Sequence, residues 1–353
     1  MIRALIIDDS AYNRVTLSRM LASSDEIEVV GTAVNGEDGI RQVIRHNPDV
    51  ITLDLEMPVM DGFAFLRWLM ANRPIPVIAV SSRANDRSVF KALELGAVDF
   101  IAKPGGRVSA RLDAIGEDLI AKALQTGKVH LRNIARGTGR TSPPPYRPPV
   151  DANAARELDL IVIGASTGGP PAIQALFESA NLLPIPFVIA QHMPATFTRL
   201  FAERIDKLTP YTVSEAADGE RLLPGHLYVA PGGMQTEVIL DRDVLSLHVT
   251  PRKPGDLHAP SVNRLFRTAS ESCGSRLMAI VLTGMGDDGA EGIRAVKSAG
   301  GKTVAESEES AVIFGMPAEA IRTGAVDEIL PLAQISDAIE RVCLCSPPEP
   351  QTS

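Results

Sequence analysis

Three residue types that act together on a carbonyl carbon stand far apart in this chain: Ser166, His192 and an aspartate at 287 or 288. Ser166 lies in the stretch Asp159 to Pro171, Asp-Leu-Ile-Val-Ile-Gly-Ala-Ser-Thr-Gly-Gly-Pro-Pro, where small residues leave room for a reacting group. A serine hydroxyl becomes a nucleophile when a base takes its proton, and the base works best when a carboxylate orients it. His192 follows the apolar run Pro186 to Gln191, and Asp287-Asp288 follow the run Leu277 to Leu282. Either aspartate suits the orienting role, and either would cap a helix starting near Ala290. His258, in a loop before a helical pattern, is the rival base. His226 begins its strand and His248 lies within one, so both are poorly placed.

A second set lies in the first third. Asp8 and Asp9 follow one apolar run and Asp54 another, with Ser81 and Lys103 ending two more. Converging carboxylates repel one another unless a cation joins them, and oxygen-only ligands favour a hard ion such as Mg²⁺. A hydroxyl and an ammonium beside them suit a phosphoryl group, with Asp54 as its acceptor.

Both sets require strands that end at one edge of a sheet. From Met1, strand patterns alternate with helical ones: Ala4 to Ile7, Val29 to Ala33, Val50 to Leu53, Pro76 to Val80 and Phe100 to Ala102. Five strands and five helices predict a parallel doubly wound sheet over 1–123. From about Gly127 to Arg156 the pattern dissolves. The run Thr141 to Val150, Thr-Ser-Pro-Pro-Pro-Tyr-Arg-Pro-Pro-Val, predicts a semi-rigid tether within a linker over 124–157. Alternation resumes over 158–345 with longer units, predicting a larger, mostly parallel α/β sheet. A β-hairpin is expected around Asp241-Arg242-Asp243, and a helix from Ala172 after the Ser166 turn. Residues 346–353 form a tail. In such sheets, sites lie beyond the carboxyl ends of strands.

A net charge of −8 argues against a partner bound by phosphate neutralisation, so no nucleic acid is expected. Three cysteines make neither a zinc pattern nor a disulfide framework. No charged leader and no spanning apolar run are evident, so a cytoplasmic protein without membrane insertion is expected.

Gly164-Ala165-Ser166-Thr167-Gly168 fits a nucleophile elbow, but the chain order serine, histidine, aspartate is not that of α/β-hydrolases. Residues 1 to about 123 resemble a response-regulator receiver domain through Leu53-Asp54-Leu55-Glu56-Met57-Pro58 and Met60-Asp61-Gly62. That resemblance implies Asp54 as phospho-acceptor and Asp8 and Asp9 as Mg²⁺ ligands. It implies that Glu56 supplies a backbone carbonyl to the metal, that Ser81 and Lys103 contact the phosphoryl group, and that Phe100 stands at the switching aromatic position.

Residues from about Leu158 to Val342 resemble the catalytic domain of the chemotaxis protein-glutamate methylesterase family. The carrying motifs are Ile163-Gly-Ala-Ser-Thr-Gly-Gly-Pro170, Gln191-His-Met-Pro194 and Leu282-Thr-Gly-Met-Gly-Asp-Asp-Gly289. That resemblance implies a triad of Ser166, His192 and Asp288, hydrolysis of γ-glutamyl methyl esters on receptor cytoplasmic domains, and deamidation of certain glutamines. The esterase chemistry is expected to need no cofactor. Backbone N–H groups near Thr167 and Met285 are candidate oxyanion donors. A histidine kinase is the implied phosphodonor, and the unphosphorylated receiver is expected to cover the esterase cleft. Other readings are the same esterase in a non-chemotaxis pathway, a phospho-switched binding module without catalysis, and a regulator acting on DNA. The last lacks a helix-turn-helix pattern.

Overall fold

The computed structural model describes residues 1–81, 88–102, 109–127, 158–178 and 180–344. Lys103, the proline-rich run and the tail lie outside these residues. The described residues form two compact units on either side of 128–157. None of their helices is long and apolar enough to cross a membrane.

The first unit runs β1 (Ile2–Ile7), α1 (Ala11–Leu21), β2 (Ile27–Ala33), α2 (Gly36–His46), β3 (Val50–Asp54), α3 (Gly62–Asn72), β4 (Val77–Ser81), α4 (Ser88–Glu94), β5 (Asp99–Ala102) and α5 (Ser109–Thr126). Its strands form one parallel sheet in the order β2-β1-β3-β4-β5, as expected for a doubly wound fold. Every residue of β3 and β4 is buried, because helices cover both faces of a parallel sheet. The strand order reverses between β1 and β3, which opens a crevice where Asp8 and Asp54 emerge. The start of α3 presses against this crevice. Asp61 caps the helix by accepting the Ala64 N–H at 2.7 Å, and the Gly62 N–H donates to the Leu55 carbonyl at 3.1 Å. A Cβ at residue 62 would lie 2.3 Å from the Asp54 carbonyl oxygen. Glycine is therefore required by close approach.

The second unit runs β6 (Leu160–Ala165), α6 (Gly169–Glu178), β7 (Phe187–Gln191), α7 (Ala195–Leu208), β8 (Thr212–Glu215), β9 (His226–Val229), β10 (Met234–Asp241), β11 (Val244–Pro251), α8 (Val262–Cys273), β12 (Leu277–Val281), α9 (Ala290–Ser298), β13 (Lys302–Glu306), α10 (Met316–Arg322), β14 (Glu328–Leu330) and α11 (Leu332–Leu344). Seven parallel strands take the order β14-β13-β12-β6-β7-β9-β8. The expected hairpin is β10–β11, and its two turn residues, Arg242 and Asp243, have φ of 47° and 66°, as a type I′ turn requires.

Two elements differ from the sequence reading. β8 was not expected, because only one of its four residues is buried and no periodicity marks it. α6 begins at Gly169 rather than Ala172. Pro170 and Pro171 therefore stand in its first turn, where a missing N–H costs nothing.

Replacing Gly62 by alanine should destabilise the first unit by roughly 1–3 kcal/mol, the usual cost of forcing an extra carbon into a filled site. Calorimetry of the full chain would record this as a lower first transition; an unmoved transition would show that α3 does not bear on the Asp54 turn.

Candidate active site

In the second sheet the strand order reverses between β12 and β6, and Ser166 follows β6 at that point. Register brings the histidine to the same height. Ala165 pairs with Gln191, so Ser166 and His192 leave adjacent strands together. The His192 N–H donates to the Ala165 carbonyl at 3.0 Å. The buried Gln191 side chain donates to the carbonyls of Ser166 (2.8 Å) and His192 (3.0 Å). The Ser166 N–H donates to the Thr283 carbonyl at 3.0 Å, and Thr283 Oγ1 donates to the Thr167 carbonyl at 2.9 Å. The Ser166 turn is thus tied to the ends of both neighbouring strands. Its left-handed residue is Gly168, with φ of +77°, and not Ser166.

His192 Nε2 lies 2.9 Å from Asp288 Oδ2. Asp288 is buried and Asp287 is exposed, so Asp288 is the aspartate that meets the imidazole. Its carboxylate sits at the N-terminus of α8, where backbone N–H groups lack helical partners. It accepts from the N–H groups of Val262 (2.8 Å) and Asn263 (2.8 Å) and from Ser261 Oγ (3.1 Å). Burial raises the Asp288 pKa, but the bond and charge of His192 and the two N–H donors outweigh it and hold the group below the usual carboxylate range. An ionised Asp288 takes the Nε2 proton as a hydrogen bond, which leaves Nδ1 with the lone pair. Among the described residues no hydrogen bond joins Ser166 Oγ to the imidazole. Such contacts commonly tighten only with substrate in place.

His258, the rival base, stacks on His192 instead, with ring centroids 4.5 Å apart and planes 7° from parallel. Burial, then the neighbouring His192, push its pKa below the ordinary histidine value. His192, His258 and Asp288 offer ligand atoms within 4.8 Å of one another, but parallel rings do not converge their lone pairs on one ion.

Gly284 packs on Ser166, since a Cβ there would lie 2.9 Å from Ser166 Cβ. Its own N–H is taken by the Ile313 carbonyl at 3.0 Å. The next residue, Met285, is half-buried, and Thr167 is buried. The supporting roles of Gln191, Thr283 and the α8 N-terminus were not legible in the sequence. A polar residue ending a buried strand was the one signal for the first two.

In the first unit Asp8 and Asp54 are buried and Asp9 is exposed, and their carboxylates lie within 4.8 Å of one another. Asp8 accepts the Ser10 N–H at 2.8 Å and Asn13 Nδ2 at 3.2 Å. The Glu56 N–H donates to Asp54 Oδ1 at 3.2 Å, and the Glu56 side chain points to solvent. Ser81 is buried at the end of β4, whose Val80 pairs with Asp54. An oxygen-only donor set of this kind fits a hard divalent cation. Phe100 is buried in β5, and its carbonyl accepts from Lys122 Nζ at 3.0 Å.

Comparison with known proteins covers both units. A family model described as CheB methylesterase matches residues 161–339, and one described as response regulator receiver domain matches residues 4–112. The chain is 46% identical over 344 residues to protein-glutamate methylesterase/protein-glutamine glutaminase 1 of Myxococcus xanthus, covering 96% of each chain. It is 44% identical over 365 residues to protein-glutamate methylesterase/protein-glutamine glutaminase 3 of Geobacter sulfurreducens, covering 97% of each. The crystal structure of the Thermotoga maritima CheB methylesterase catalytic domain matches with a TM-score of 0.51 and 35% identity, over 52% of this chain and 98% of that one. With a response regulator receiver domain ahead of the methylesterase domain and relatives matched from end to end, the chain belongs to the CheB methylesterase family.

Proposed function

We propose that this protein hydrolyses glutamate γ-methyl esters, and deamidates specific glutamines, on the cytoplasmic domains of methyl-accepting chemotaxis receptors. The observation that carries the reading is the 2.9 Å contact of His192 with the buried Asp288, beside a serine at the sheet's switch point. His192 Nδ1 takes the Ser166 proton as Oγ attacks the ester carbonyl. The oxyanion of the tetrahedral intermediate lies against the N–H groups of Thr167 and Met285. His192 then gives the proton to departing methanol, leaving Ser166 acylated. Water enters, His192 takes its proton, and collapse of the second intermediate returns the γ-carboxylate and free serine. With a glutamine substrate the leaving group is ammonia and every other step is the same. Asp288 keeps the imidazole in one tautomer and stabilises it when charged.

The first unit regulates this chemistry. A histidine kinase donates the phosphoryl group and Asp54 accepts it. Asp8, Asp9, Asp54 and the Glu56 carbonyl would hold Mg²⁺, and a divalent cation there would supply charge compensation for a phosphoryl group. Ser81 and Lys103 contact those oxygens. Phosphorylation of Asp54 raises the activity of the esterase unit, the added charge acting as the switch. The site of action is the cytoplasm, where receptor signalling domains and kinase meet.

Methanol release from a methylated receptor fragment tests both halves. Ser166→Ala should lose at least roughly 10⁴-fold in turnover, and Asp288→Asn a similar factor because it favours the wrong histidine tautomer. A Ser166→Ala protein that still released methanol at the wild-type rate would end the serine mechanism.

A small phosphodonor with Mg²⁺ should raise wild-type turnover and leave Asp54→Asn unchanged. An equal rise in the variant would place the phospho-acceptor elsewhere.

A further inference from the structure

Glu306, the last residue of β13, is 1% exposed and has no part in the mechanism above. Its Oε2 accepts the Thr283 N–H at 2.7 Å, and its Oε1 lies 2.8 Å from Ser310 Oγ. Thr283 is the residue whose carbonyl receives the Ser166 N–H and whose hydroxyl donates to the Thr167 carbonyl. It also receives the Ile313 N–H at 2.9 Å on Oγ1. One buried carboxyl therefore stands behind every bond that holds the nucleophile turn on the β12 side. We propose that Glu306 is a positioning residue for Ser166 and that it serves in its protonated form. The inference rests on Ser166 being the nucleophile.

The protonated form satisfies the same contacts. One oxygen accepts the Thr283 N–H, and the O–H is donated to Ser310 Oγ, whose hydroxyl rotates away. The ionised form brings a full negative charge into a dry site, against the N–H of Thr283, the same residue whose carbonyl receives the Ser166 N–H. There it opposes the negative charge that develops on the substrate oxygen, and low dielectric strengthens the opposition.

Burial, which outweighs the bonds from Ser310 and Thr283, raises the Glu306 pKa from its ordinary 4.5 to about 7. Of the charges on the elements packed on β13, Lys297 of α9 pairs with Asp327, Arg322 of α10 with Glu319, and Arg341 of α11 with Glu328 of β14; α9 also carries Glu291 and Arg294, and α11 Asp337 and Glu340. Glu308 and Glu309, beyond the strand, are exposed. None of these charges shifts Glu306. The sign for stability follows. The contribution of the protonated group is complete below about pH 4.5, where folded and unfolded chains both bind the proton. It is lost as pH rises through about 7.

Methyl-ester hydrolysis by the full chain, followed from pH 5.5 to 9, tests the proposal with Glu306→Gln, Glu306→Ala and Ser166→Ala. Wild-type turnover should climb as the general base is freed and then fall roughly tenfold above neutral pH as Glu306 ionises. Glu306→Gln, which keeps a neutral acceptor for Thr283, should hold its turnover at high pH. Glu306→Ala should lose roughly 10- to 100-fold at every pH through a misplaced Ser166, chiefly in kcat. A falling limb in Glu306→Gln like that of wild type, an inactive Glu306→Gln, or an undiminished Glu306→Ala would overturn the role of Glu306 and leave the triad intact. Wild-type activity in Ser166→Ala would instead remove the nucleophile, and the positioning role with it.

Discussion

A buried carboxylate at a helix N-terminus is the constraint on which the second unit depends. Asp288 is nearly inaccessible to water, and an ion in that position is tolerable only with full hydrogen bonding. α8 supplies two N–H donors and Ser261 a third, so the fourth direction is left for His192. Ser261 also accepts the Arg264 N–H, so one side chain caps the helix and completes the carboxylate shell. The carboxylate shell and the helix cap share Ser261.

The hairpin extends that support. Gln235, buried at the start of β10, donates to the His258 carbonyl at 2.7 Å and accepts the Ser261 N–H at 3.1 Å. It fixes the loop from which His258 stacks on the base. The antiparallel excursion therefore supports the ring that stacks on His192. The 89° edge contact of Phe177 with Phe187 packs α6 on β7 away from the chemistry, where apolar contact suffices.

Both units place their chemistry at a switch point, yet the two crevices differ in kind. The first collects carboxylates from β1 and β3, and like charges at that spacing call for a cation. The second sets an imidazole against its single buried carboxylate, with Ser166 at the end of the neighbouring strand, the arrangement that the proposed proton transfer uses. The same topology can carry different chemistries because the strand ends fix position and the residues placed there fix chemistry.

Much of this was legible in the chain itself. Buried runs such as Leu160 to Ile163 and Leu277 to Leu282 are strands because fully apolar segments of that length need cover on both faces. Motifs around Asp54, Ser166, His192 and Asp288 pointed to the family, since each stands just past such a run. Local pattern had less to say where burial is partial: β8 has one buried residue, and α6 begins on a glycine and two prolines. What the sequence by itself determined was the order of strands along the chain and the residue types at their ends. The family resemblance had named Asp288 where residue types and spacing left Asp287 open; only the tertiary structure set that carboxylate against His192, stacked His258 on the same ring and placed Glu306 beneath Thr283. Those pairings depend on helix ends and loop carbonyls from segments up to about a hundred residues apart, and no periodicity records where such groups meet.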